Sequence, residues 1–462
     1  MSKLCININD LFNLSGAELY NANLIGDYKS ISIDSRKIEK GALFIAIQGK
    51  KFNGHKFVES AVNSGASAII INKKQIKNFI NLKLPIITVP NTTLALGELA
   101  SYWRSKLKAK VICITGSVGK TTTKDILISL LKEKYRVTGT SLNNNNHIGV
   151  PLTIFSAKQN DDFLVLEVGT NHFGEIEYTS KIAKPDYSVI TNIGNSHLEF
   201  LKSKNGVLKE KVNLFNNTNV NGKVFINLDD PFLKRIGTNF QNKITYSMMN
   251  NTAEYSGSTE MDNNSGLYTL NITSPKLNLK VNVPLYGFHS AHNVFVASAI
   301  ANHVGLKKSD LTTAIKKLLP SKQRLNVTKY KKMVLIDDTY NANPDSMIAA
   351  LIVLDSIKIF PKKIAVLGDM FELGEKSENL HTQLAKVIKK LNIDEVLLIG
   401  KNMQALYKTI ENLKMITRHF TSRKSLFAYL KKFEFENSTI LVKGSRGMKM
   451  EDFVNALKER IG

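Results

Sequence analysis

Short apolar runs alternate with helical patterns along most of this 462-residue chain. In its first part, the alternation predicts β-strands at 30–33, 41–47 and 68–71, a helix at 55–64 and a linker at 85–92. Strands that alternate with helices are typical of parallel sheets covered on both faces. The pattern therefore predicts an α/β protein.

The middle and last parts of the chain continue this alternation. A helix is predicted at 94–107, strands are predicted at 111–114, 163–168, 187–193 and 223–227, and 250–284 alternates like an antiparallel excursion. The last part predicts strands at 333–337, 363–367, 395–399 and 439–442. Length and pattern together predict three domains: a small N-terminal α/β domain over 1–88, a central parallel-sheet domain over 89–320 and a C-terminal Rossmann-like domain over 321–462.

One predicted strand leads into a loop with the composition of a phosphate cradle. The stretch VICITGSVGKTTT at 111–123 places two glycines, a lysine and three threonines after an apolar run. Gly116 and Gly119 let backbone N–H groups turn toward an anion, and the helix predicted at 121–133 adds its positive N-terminus. Lys120 would reach the terminal phosphates and the Thr121 hydroxyl a magnesium ion. Ile114 stands where the general P-loop pattern has its first glycine, so the loop is a tighter variant; an ordinary glycine turn is the alternative.

Three more candidate residues lie in the central part of the chain. Glu167 ends the strand at 163–168, where its carboxylate could face a metal ion beside the cradle. His197 follows the strand at 187–193, and Lys211 lies in a helical pattern. Taken singly, these residues have simpler interpretations: a solvated strand end, a loop histidine and a surface lysine.

Composition excludes some classes of protein. Hydrophobic residues make up 43% of the chain and charged residues 22%, as in globular proteins in water. No apolar run approaches the roughly 20 residues of a membrane span, and residues 1–10 lack a signal-peptide layout, so no membrane insertion is expected. Two cysteines, Cys5 and Cys113, are too few for a disulfide framework. We therefore expect a cytoplasmic protein.

The formal net charge of +24 raises the question of nucleic-acid binding. The basic residues are spread along the chain, without an aromatic-interleaved basic patch or a base-reading module. A solvated basic surface that helps to attract anionic substrates is therefore favoured. A basic P-loop ATPase that binds nucleic acid is kept as the alternative from a different class of function.

Taken together and in order, these features resemble the ATP-dependent Mur ligases of peptidoglycan synthesis. The tight cradle, Glu167, His197 and Lys211 carry the resemblance in the central part. At the C-terminal end it rests on DDTYNANPDS at 337–346, LGDMFELGE at 367–375, His381 and LVKGSR at 441–446. The N-terminal IDSR at 33–36, GALF at 41–44, QG at 48–49 and GH at 54–55 match the family's uridine-nucleotide domain. The C-terminal motifs are most similar to those of the family member that joins D-alanyl-D-alanine to UDP-N-acetylmuramoyl-tripeptide (UDP-MurNAc-tripeptide).

The resemblance implies a role for each domain and for each matching residue. Residues 1–88 would bind the UDP substrate, 89–320 would bind ATP, and 321–462 would form the ligase domain. Lys120, Glu167, His197 and Lys211 would be catalytic, and Thr121, Glu167, His197 and a carbamylated Lys211 would hold Mg²⁺, with two ions expected. The implied ATP-binding residues are Gly116, Ser117, Val118, Gly119, Lys120, Thr121, Thr122, Asn293, Arg324 and Asp338. The implied substrate-binding residues are Ser35, Arg36, Asn143, Asn145, Asn146, Thr170, Asn171, His172, Tyr340, Asn341, Asn343, Lys443, Ser445 and Arg446.

The implied reaction joins a carboxylate to an amine at the expense of ATP. Attack of the peptide carboxylate on the γ-phosphate would give an acyl phosphate, which the amine of D-alanyl-D-alanine then attacks. We expect the C-terminal domain to close over ATP and the dipeptide, because water would hydrolyse the acyl phosphate. A monomer that binds these substrates and no nucleic acid is expected.

Three places in the chain depart from the family pattern. Ser290 stands where asparagine is usual, Gln323 replaces a glycine before Arg324, and Val212-Asn213 replace glycine and glutamate after the lysine. Another amide ligase of the Mur and folylpolyglutamate synthase superfamily is the nearer alternative, against which the motifs at 340–343 and 367–374 argue.

Overall fold

The protein is described from a computed structural model. The structure describes residues 4–49, 52–262 and 265–460. The ends of the predicted first and last domains, 1–3 and 461–462, and residues 263–264 of the predicted antiparallel excursion lie outside the described residues.

The N-terminal part of the chain folds around a five-stranded sheet. Its elements are α1 (Ile8–Phe12), β1 (Glu18–Tyr20), β2 (Ile31–Ser32), β3 (Ala42–Ile45), α2 (Val58–Asn63), β4 (Ala66–Asn72) and β5 (Ile86–Val89). The strand order is β1-β5-β4-β3-β2, with β1 antiparallel to β5 and the other pairs parallel. The prediction of a linker at 85–92 is wrong, because residues 86–89 form β5 inside this sheet. All four residues of β5 are β-branched and buried, which favours a strand covered on both faces.

The central part of the chain forms a nine-stranded sheet. Its elements are α3 (Thr92–Lys106), β6 (Lys110–Thr115), α4 (Lys120–Leu131), β7 (Val137–Gly139), α5 (Gly149–Ser156), β8 (Phe163–Glu167), α6 (Glu175–Ala183), β9 (Tyr187–Ile190), α7 (Leu198–Leu201), α8 (Lys204–Lys211), α9 (Asn213–Asn216), β10 (Lys223–Asn227), α10 (Pro231–Ile236), β11 (Lys243–Ser247), β12 (Tyr255–Met261), β13 (Tyr268–Ser274), β14 (Leu277–Val283), α11 (Phe288–His303) and α12 (Lys308–Lys316). The order is β14-β13-β12-β11-β10-β9-β6-β8-β7. Strands β12 to β14 pair antiparallel, so the predicted antiparallel excursion is confirmed.

The C-terminal part of the chain forms a six-stranded sheet. Its elements are β15 (Asn326–Lys329), β16 (Met333–Asp338), α13 (Pro344–Ser356), β17 (Lys362–Gly368), α14 (Ser377–Thr382), α15 (Leu384–Ile388), β18 (Glu395–Ile399), α16 (Met403–Ile410), β19 (Ile416–Phe420), α17 (Arg423–Lys432), β20 (Ser438–Lys443) and α18 (Glu451–Glu459). The order is β15-β16-β20-β17-β18-β19, and every pair except β15 with β16 is parallel. The predicted α/β fold with three domains is confirmed. The boundaries at 88/89 and 320/321 stay predictions.

The packing of the three parts places a site between two sheets. One buried apolar cluster joins Ile193 and Leu198 of the central part to Met347 and Met370 of the C-terminal part. The carboxyl ends of β6, β8 and β9 lie at one edge of the central sheet, because these strands are parallel neighbours. Ligands bind beyond this edge in open parallel sheets. The C-terminal part packs against the same region.

Candidate active site

The cradle is built on two glycines whose conformation and surroundings exclude a side chain. It connects the end of β6 at Thr115 to the start of α4 at Lys120. Gly119 has a φ of +85° and Gly116 a φ of +151°. A Cβ on Gly116 would come within 1.9 Å of Thr191 Oγ1, and a Cβ on Gly119 within 2.7 Å of Asn293 Oδ1. Both positions therefore require glycine.

The first half of the cradle is fastened to the loop after β9. The backbone N–H of Ser117 donates to Asn192 O at 3.1 Å, and that of Val118 donates to Asn192 Oδ1 at 3.0 Å. The backbone N–H groups in the first turn of α4, from Lys120 to Thr122, have no partner within the helix. These groups, with the positive end of the helix, form the part of the cradle that is suited to an anion.

Four predicted catalytic residues come together beside the cradle. The charge of Lys120 acts on Glu167, His197 and Lys211, and the charge of Lys211 acts on Glu167 and His197. Burial lowers the pKa of Lys120, while the negative charge of Glu167 opposes this shift. Lys120 Nζ donates to Gly116 O at 2.7 Å, so its amine lies within the cradle.

Glu167 presents one carboxylate oxygen without a partner. The residue is 2% exposed, and its Oε1 accepts a hydrogen bond from Asn145 Nδ2 at 2.8 Å. Its Oε2 is buried and makes no hydrogen bond with the described residues. A buried carboxylate oxygen without a donor suits a metal ion, which takes oxygen ligands. Neither here nor elsewhere among the described residues is a group of three His, Cys, Asp or Glu placed to hold a metal ion.

Lys211 is the least solvated of the four. It is 1% exposed at the end of α8, and no hydrogen bond or ion pair joins its amine to a described residue. Burial, followed by the positive charge of Lys120, lowers the pKa of Lys211 well below its usual value. A buried amine without a partner favours its neutral form. The neutral amine is the form that can react with carbon dioxide.

His197 meets a carboxylate from the C-terminal part of the chain. Its Nδ1 lies 2.7 Å from Oε2 of Glu372, although no well-directed hydrogen bond forms between the two. Burial lowers the pKa of His197, and Glu372 acts in the opposite direction. Contact with His197 in turn lowers the pKa of Glu372. Glu372 lies in the LGDMFELGE motif, but the sequence did not single it out as a site residue.

Glu210 is a second buried residue of the site that the sequence did not single out. It is 1% exposed, and its carboxylate accepts the backbone N–H groups of Gly174 and Ile176, each at 2.8 Å. The Thr170 hydroxyl donates to it at 3.4 Å. Glu210 thus connects α8, which carries Lys211, to the loop that follows Glu167.

Arg324 brings the C-terminal part of the chain to the cradle. Its guanidinium donates to Thr121 Oγ1 at 2.9 Å and stacks on the Tyr340 ring, 3.9 Å from its centre. Gln323 has a φ of +61°, in the left-handed region that glycine favours. The chain therefore keeps the backbone conformation that explains a glycine in the family pattern at this position.

The other predicted residues of the C-terminal part form a connected group. Lys443 pairs with Asp338 at 2.6 Å and donates to Asn341 O at 3.0 Å. Ser445 Oγ accepts the N–H of Phe371 at 2.8 Å. Arg446 is exposed and pairs with Glu451 at 2.9 Å, and Asn343 caps α13.

The predicted substrate residues near Glu167 lie on two loops. Asn145 contacts Glu167, and Asn146 Oδ1 accepts the N–H groups of 148 and 149. Asn143 is exposed. The N–H groups of Asn171 and His172 donate to Glu175 Oε2. The first loop therefore contacts the Glu167 carboxylate directly, and the second follows Glu167 in the chain.

Ser35 and Arg36 lie apart from this group, in the N-terminal part. Ser35 is buried, and exposed Arg36 pairs with Asp34 at 2.8 Å. No contact between these two residues and the cradle occurs in the described part of the chain. A cleft where the N-terminal part of the chain meets the start of the central part is lined by Gln48, Gly49, Asn72, Pro90, Asn91, Thr92 and Thr93.

A second cleft opens beside the cradle, between α4 and the connection to the C-terminal sheet. Its lining includes Thr122, Ser290 and Arg324, which the sequence analysis named, and apolar Leu285, Leu318 and Leu325, which it missed. Asn293 lies behind the cradle, where its Oδ1 accepts from Thr123 Oγ1 at 3.3 Å. A cleft with apolar walls next to a phosphate cradle has the shape and chemistry for a nucleotide base.

Cradle, cleft and flanking sheets define a three-domain P-loop nucleotide-binding protein. Family models match all three parts: "Mur ligase family, catalytic domain" at 27–104, "Mur ligase middle domain" at 114–301 and "Mur ligase, glutamate ligase domain" at 323–446. The chain is 35% identical to the UDP-N-acetylmuramoyl-tripeptide–D-alanyl-D-alanine ligase of Buchnera aphidicola subsp. Baizongia pistaciae, over 98% of both chains. It is 33% identical to the Haemophilus influenzae ligase of the same name, over 96% of this chain and 98% of the other. The chain belongs to the Mur ligase family.

Solved structures agree with this assignment. A crystal structure of MurF from Acinetobacter baumannii matches with a TM-score of 0.89 at 28% identity, over 99% of both chains. MurF from Thermotoga maritima in complex with ADP matches with a TM-score of 0.81 at 27% identity, over 94% of this chain and 97% of the other. Among the described residues, no helix has the length and apolar character needed to cross a membrane.

Proposed function

We propose that this enzyme joins D-alanyl-D-alanine to the free carboxylate of UDP-MurNAc-tripeptide, with conversion of ATP to ADP and phosphate. The product would be UDP-MurNAc-pentapeptide, a precursor of peptidoglycan. Relatives that span nearly the whole chain carry the name of this ligase, which supports the proposal. The reaction is proposed to take place in the cytoplasm, on a monomer.

The observation that carries the proposal is the meeting of the cradle lysine with charged groups of two domains. Lys120 lies at the phosphate cradle, Glu167 and Lys211 approach from the central domain, and Glu372 approaches from the C-terminal domain. A ligase must bring two anions together, the γ-phosphate and a carboxylate, and Lys120 offsets their repulsion. Arg324, on Thr121, adds a second cation at the same place.

The first step would form an acyl phosphate within this group. An oxygen of the peptide carboxylate attacks the γ-phosphorus, and ADP leaves with the electron pair of the broken bond. The dipeptide nitrogen then attacks the acyl carbon, and phosphate leaves. The docking of the C-terminal part against the cradle supports the exclusion of water during these steps.

Mg²⁺ would bind beside Lys120 and neutralise phosphate charge. Glu167 and His197 fit this role, because Glu167 Oε2 is buried without a partner and His197 lies within the same group of charges. Thr121 completes the proposed ligands from the cradle. Two ions are proposed.

Carbamylation of Lys211 would supply a further oxygen ligand. The neutral amine adds to the carbon of CO₂, a C–N bond forms, one C=O π bond opens onto oxygen, and one proton leaves, so a neutral amine is replaced by an anion. The buried, unpartnered amine of Lys211 supports this chemistry. It also explains why a lysine occupies a buried position that would otherwise be costly.

The proposed substrate paths follow the residues named from the sequence. The UDP part would bind near Ser35 and Arg36, the peptide would pass 143–146 and 170–172, and ATP would occupy the cradle and the cleft beside it. Asp338, Tyr340, Asn341, Asn343, Lys443, Ser445 and Arg446 are proposed to serve ATP or the dipeptide from the C-terminal domain.

Phosphate release from the purified enzyme tests the proposal. ATP, Mg²⁺ and UDP-MurNAc-tripeptide are supplied with D-alanyl-D-alanine, with single amino acids or with DNA. We expect release that depends on both the tripeptide and the dipeptide. Release with a single amino acid in place of the dipeptide would point to another ligase of the superfamily, and release stimulated by DNA would contradict the ligase assignment.

A further inference from the structure

Glu372 reaches the candidate active site from a loop after β17, where its backbone has a left-handed conformation. Its Oε2 lies 2.7 Å from His197 Nδ1, and the N–H of Glu199 donates to its backbone oxygen at 3.3 Å. Both Glu372 and His197 are in the left-handed region, with φ values of +64° and +53°. Non-glycine residues hold this conformation only where their surroundings enforce it, and such positions cluster at functional sites.

Hydrogen bonds fix the residues that precede Glu372. The N–H of Met370 donates to Nε2 of His381, which is fully buried, at 3.0 Å. The N–H of Phe371 donates to Ser445 Oγ at 2.8 Å. Glu372 is therefore held in place by the C-terminal domain rather than carried on a free loop.

Glu372 is the accessible carboxylate next to the cradle lysine. Two carboxylates in the described part of the chain act on the charge of Lys120, Glu167 and Glu372. Glu167 is buried, whereas the Glu372 side chain is 43% exposed. Its Oε1 makes no hydrogen bond or ion pair with a described residue. An ammonium group of an incoming substrate can therefore reach Glu372, whereas the buried Glu167 oxygen is left to the proposed metal ion.

The acceptor amine must arrive at this place. In the proposed reaction, the phosphate of the acyl phosphate lies at Lys120, so the attacking nitrogen must come within a few ångströms of it. At neutral pH this nitrogen belongs to an ammonium group, because the pKa of an α-amino group is about 8. An ammonium ion beside the Lys120 cation needs an anionic partner.

A cation lies close to Glu372 on the same domain. Arg446 and Glu372 are each one residue from the hydrogen bond between Phe371 and Ser445. Arg446 has a side chain that is 58% exposed and pairs with the partly buried Glu451, so a ligand can reach its guanidinium from solvent. Two extended residues span about 7 Å, which suits a dipeptide between an anion and a cation on neighbouring loops.

We propose that Glu372 binds the ammonium group of the acceptor dipeptide and holds its nitrogen beside the acyl phosphate, while Arg446 receives the dipeptide carboxylate. This inference rests on the proposed ligase function. Before attack, the ammonium gives one proton to water. The nitrogen lone pair then forms the amide bond, the bond from the acyl carbon to the phosphate oxygen breaks, and the second proton passes to the phosphate.

The test compares a charged acceptor with an uncharged one. In Glu372→Gln, the KM for D-alanyl-D-alanine should rise about 10- to 100-fold, because a charged hydrogen bond is lost, while the KM for ATP changes less than about twofold. Hydroxylamine is mostly uncharged at neutral pH and traps the acyl phosphate as a hydroxamate. In Glu372→Gln, hydroxamate formation should fall much less than the reaction with the dipeptide, and the hydroxamate formed also shows that the variant is folded.

Two further variants serve as controls. Glu372→Asp keeps the charge and should restore part of the dipeptide affinity. Glu378→Gln removes an exposed carboxylate on nearby α14 and should leave both reactions unchanged. An unchanged KM for the dipeptide in Glu372→Gln, or an equal fall in hydroxamate formation, would overturn the inference. Failure of the ligase function would appear in the wild type itself, as phosphate release that does not depend on the dipeptide, and would overturn both.

Discussion

Replacement of Glu210 by alanine tests how the Lys211 helix is fixed to the Glu167 loop. The Glu210 carboxylate accepts two backbone N–H groups at 2.8 Å, and a hydrogen bond to a charged group contributes about 1.5–3 kcal/mol. Gly174 is exposed, so water can replace the carboxylate there, whereas Ile176 is buried and loses its acceptor outright. We therefore expect Glu210→Ala to lower the free energy of unfolding by about 3 kcal/mol.

Urea denaturation of the wild type and of two variants measures this loss. The matched control is Glu177→Ala on α6, where the glutamate forms an exposed pair with Lys181 four residues later. Such a pair contributes about 0.5 kcal/mol or less. If Glu210→Ala costs no more than Glu177→Ala, the carboxylate does not fasten the two elements and the reasoning fails. A loss of kcat with unchanged stability would also contradict it.

Three further predictions concern other parts of the chain. Lys211→Ala should lower kcat by about 100-fold with the fold intact, and a small carboxylate such as acetate should restore part of the phosphate release; near-wild-type activity would remove Lys211 from the site. Burial lowers the pKa of Lys363 from 10.5 to about 8 in the folded protein. Between about pH 8 and pH 10.5 the unfolded chain therefore binds one more proton at this residue than the folded protein does, and the free energy of unfolding rises with pH. The wild type should gain about 3 kcal/mol relative to Lys363→Met between about pH 7 and 10.5 in urea denaturation, and parallel profiles would contradict the shift. Gln323→Gly should raise the free energy of unfolding by about 0.5 kcal/mol, because glycine relieves the left-handed backbone, and a lower value would show that the side chain contributes more than the strain costs.

The cradle could be predicted from the sequence because its signal is local. A buried strand, two glycines, a lysine and a helix follow one another within a few residues, and each has one physical reason to be there. The position of Glu167 at the end of a strand could also be predicted, because the apolar run before it is a local signal. Parallel neighbours bring their carboxyl ends to one edge, so His197 could be placed near Glu167 once the sheet was predicted.

Other elements were hidden because their environment is not local. The four residues of β5 are β-branched, but Pro85 before them and the turn residues after them favoured a linker, and the strands that pair with β5 are not adjacent to it in the sequence. β15 and β19 are edge strands with polar and partly exposed residues, and neither has the apolar run of an interior strand. β15 and β19 become strands because they pair with β16 and β18, and their own sequences do not indicate this pairing.

Glu210 and Glu372 show the same limit for the site. An acidic residue on a helix or in a loop is most often solvated, and no spacing rule connects Glu372 to His197. Their roles depend on contacts between distant segments: Glu210 with the N-terminus of α6, and Glu372 with a histidine of another domain. The family pattern marked Gln323 as a replacement of glycine, but only the backbone shows that this residue has a φ of +61°.

The central claim is that the phosphate held at Lys120 is transferred to a carboxylate. It is tested most directly by UDP-MurNAc-tripeptide labelled with oxygen-18 in its free carboxylate, with mass analysis of the released phosphate. Transfer through an acyl phosphate predicts one labelled oxygen in each phosphate, because the acyl carbon to oxygen bond breaks when the amine attacks. Phosphate without label, formed together with the amide, would contradict the account.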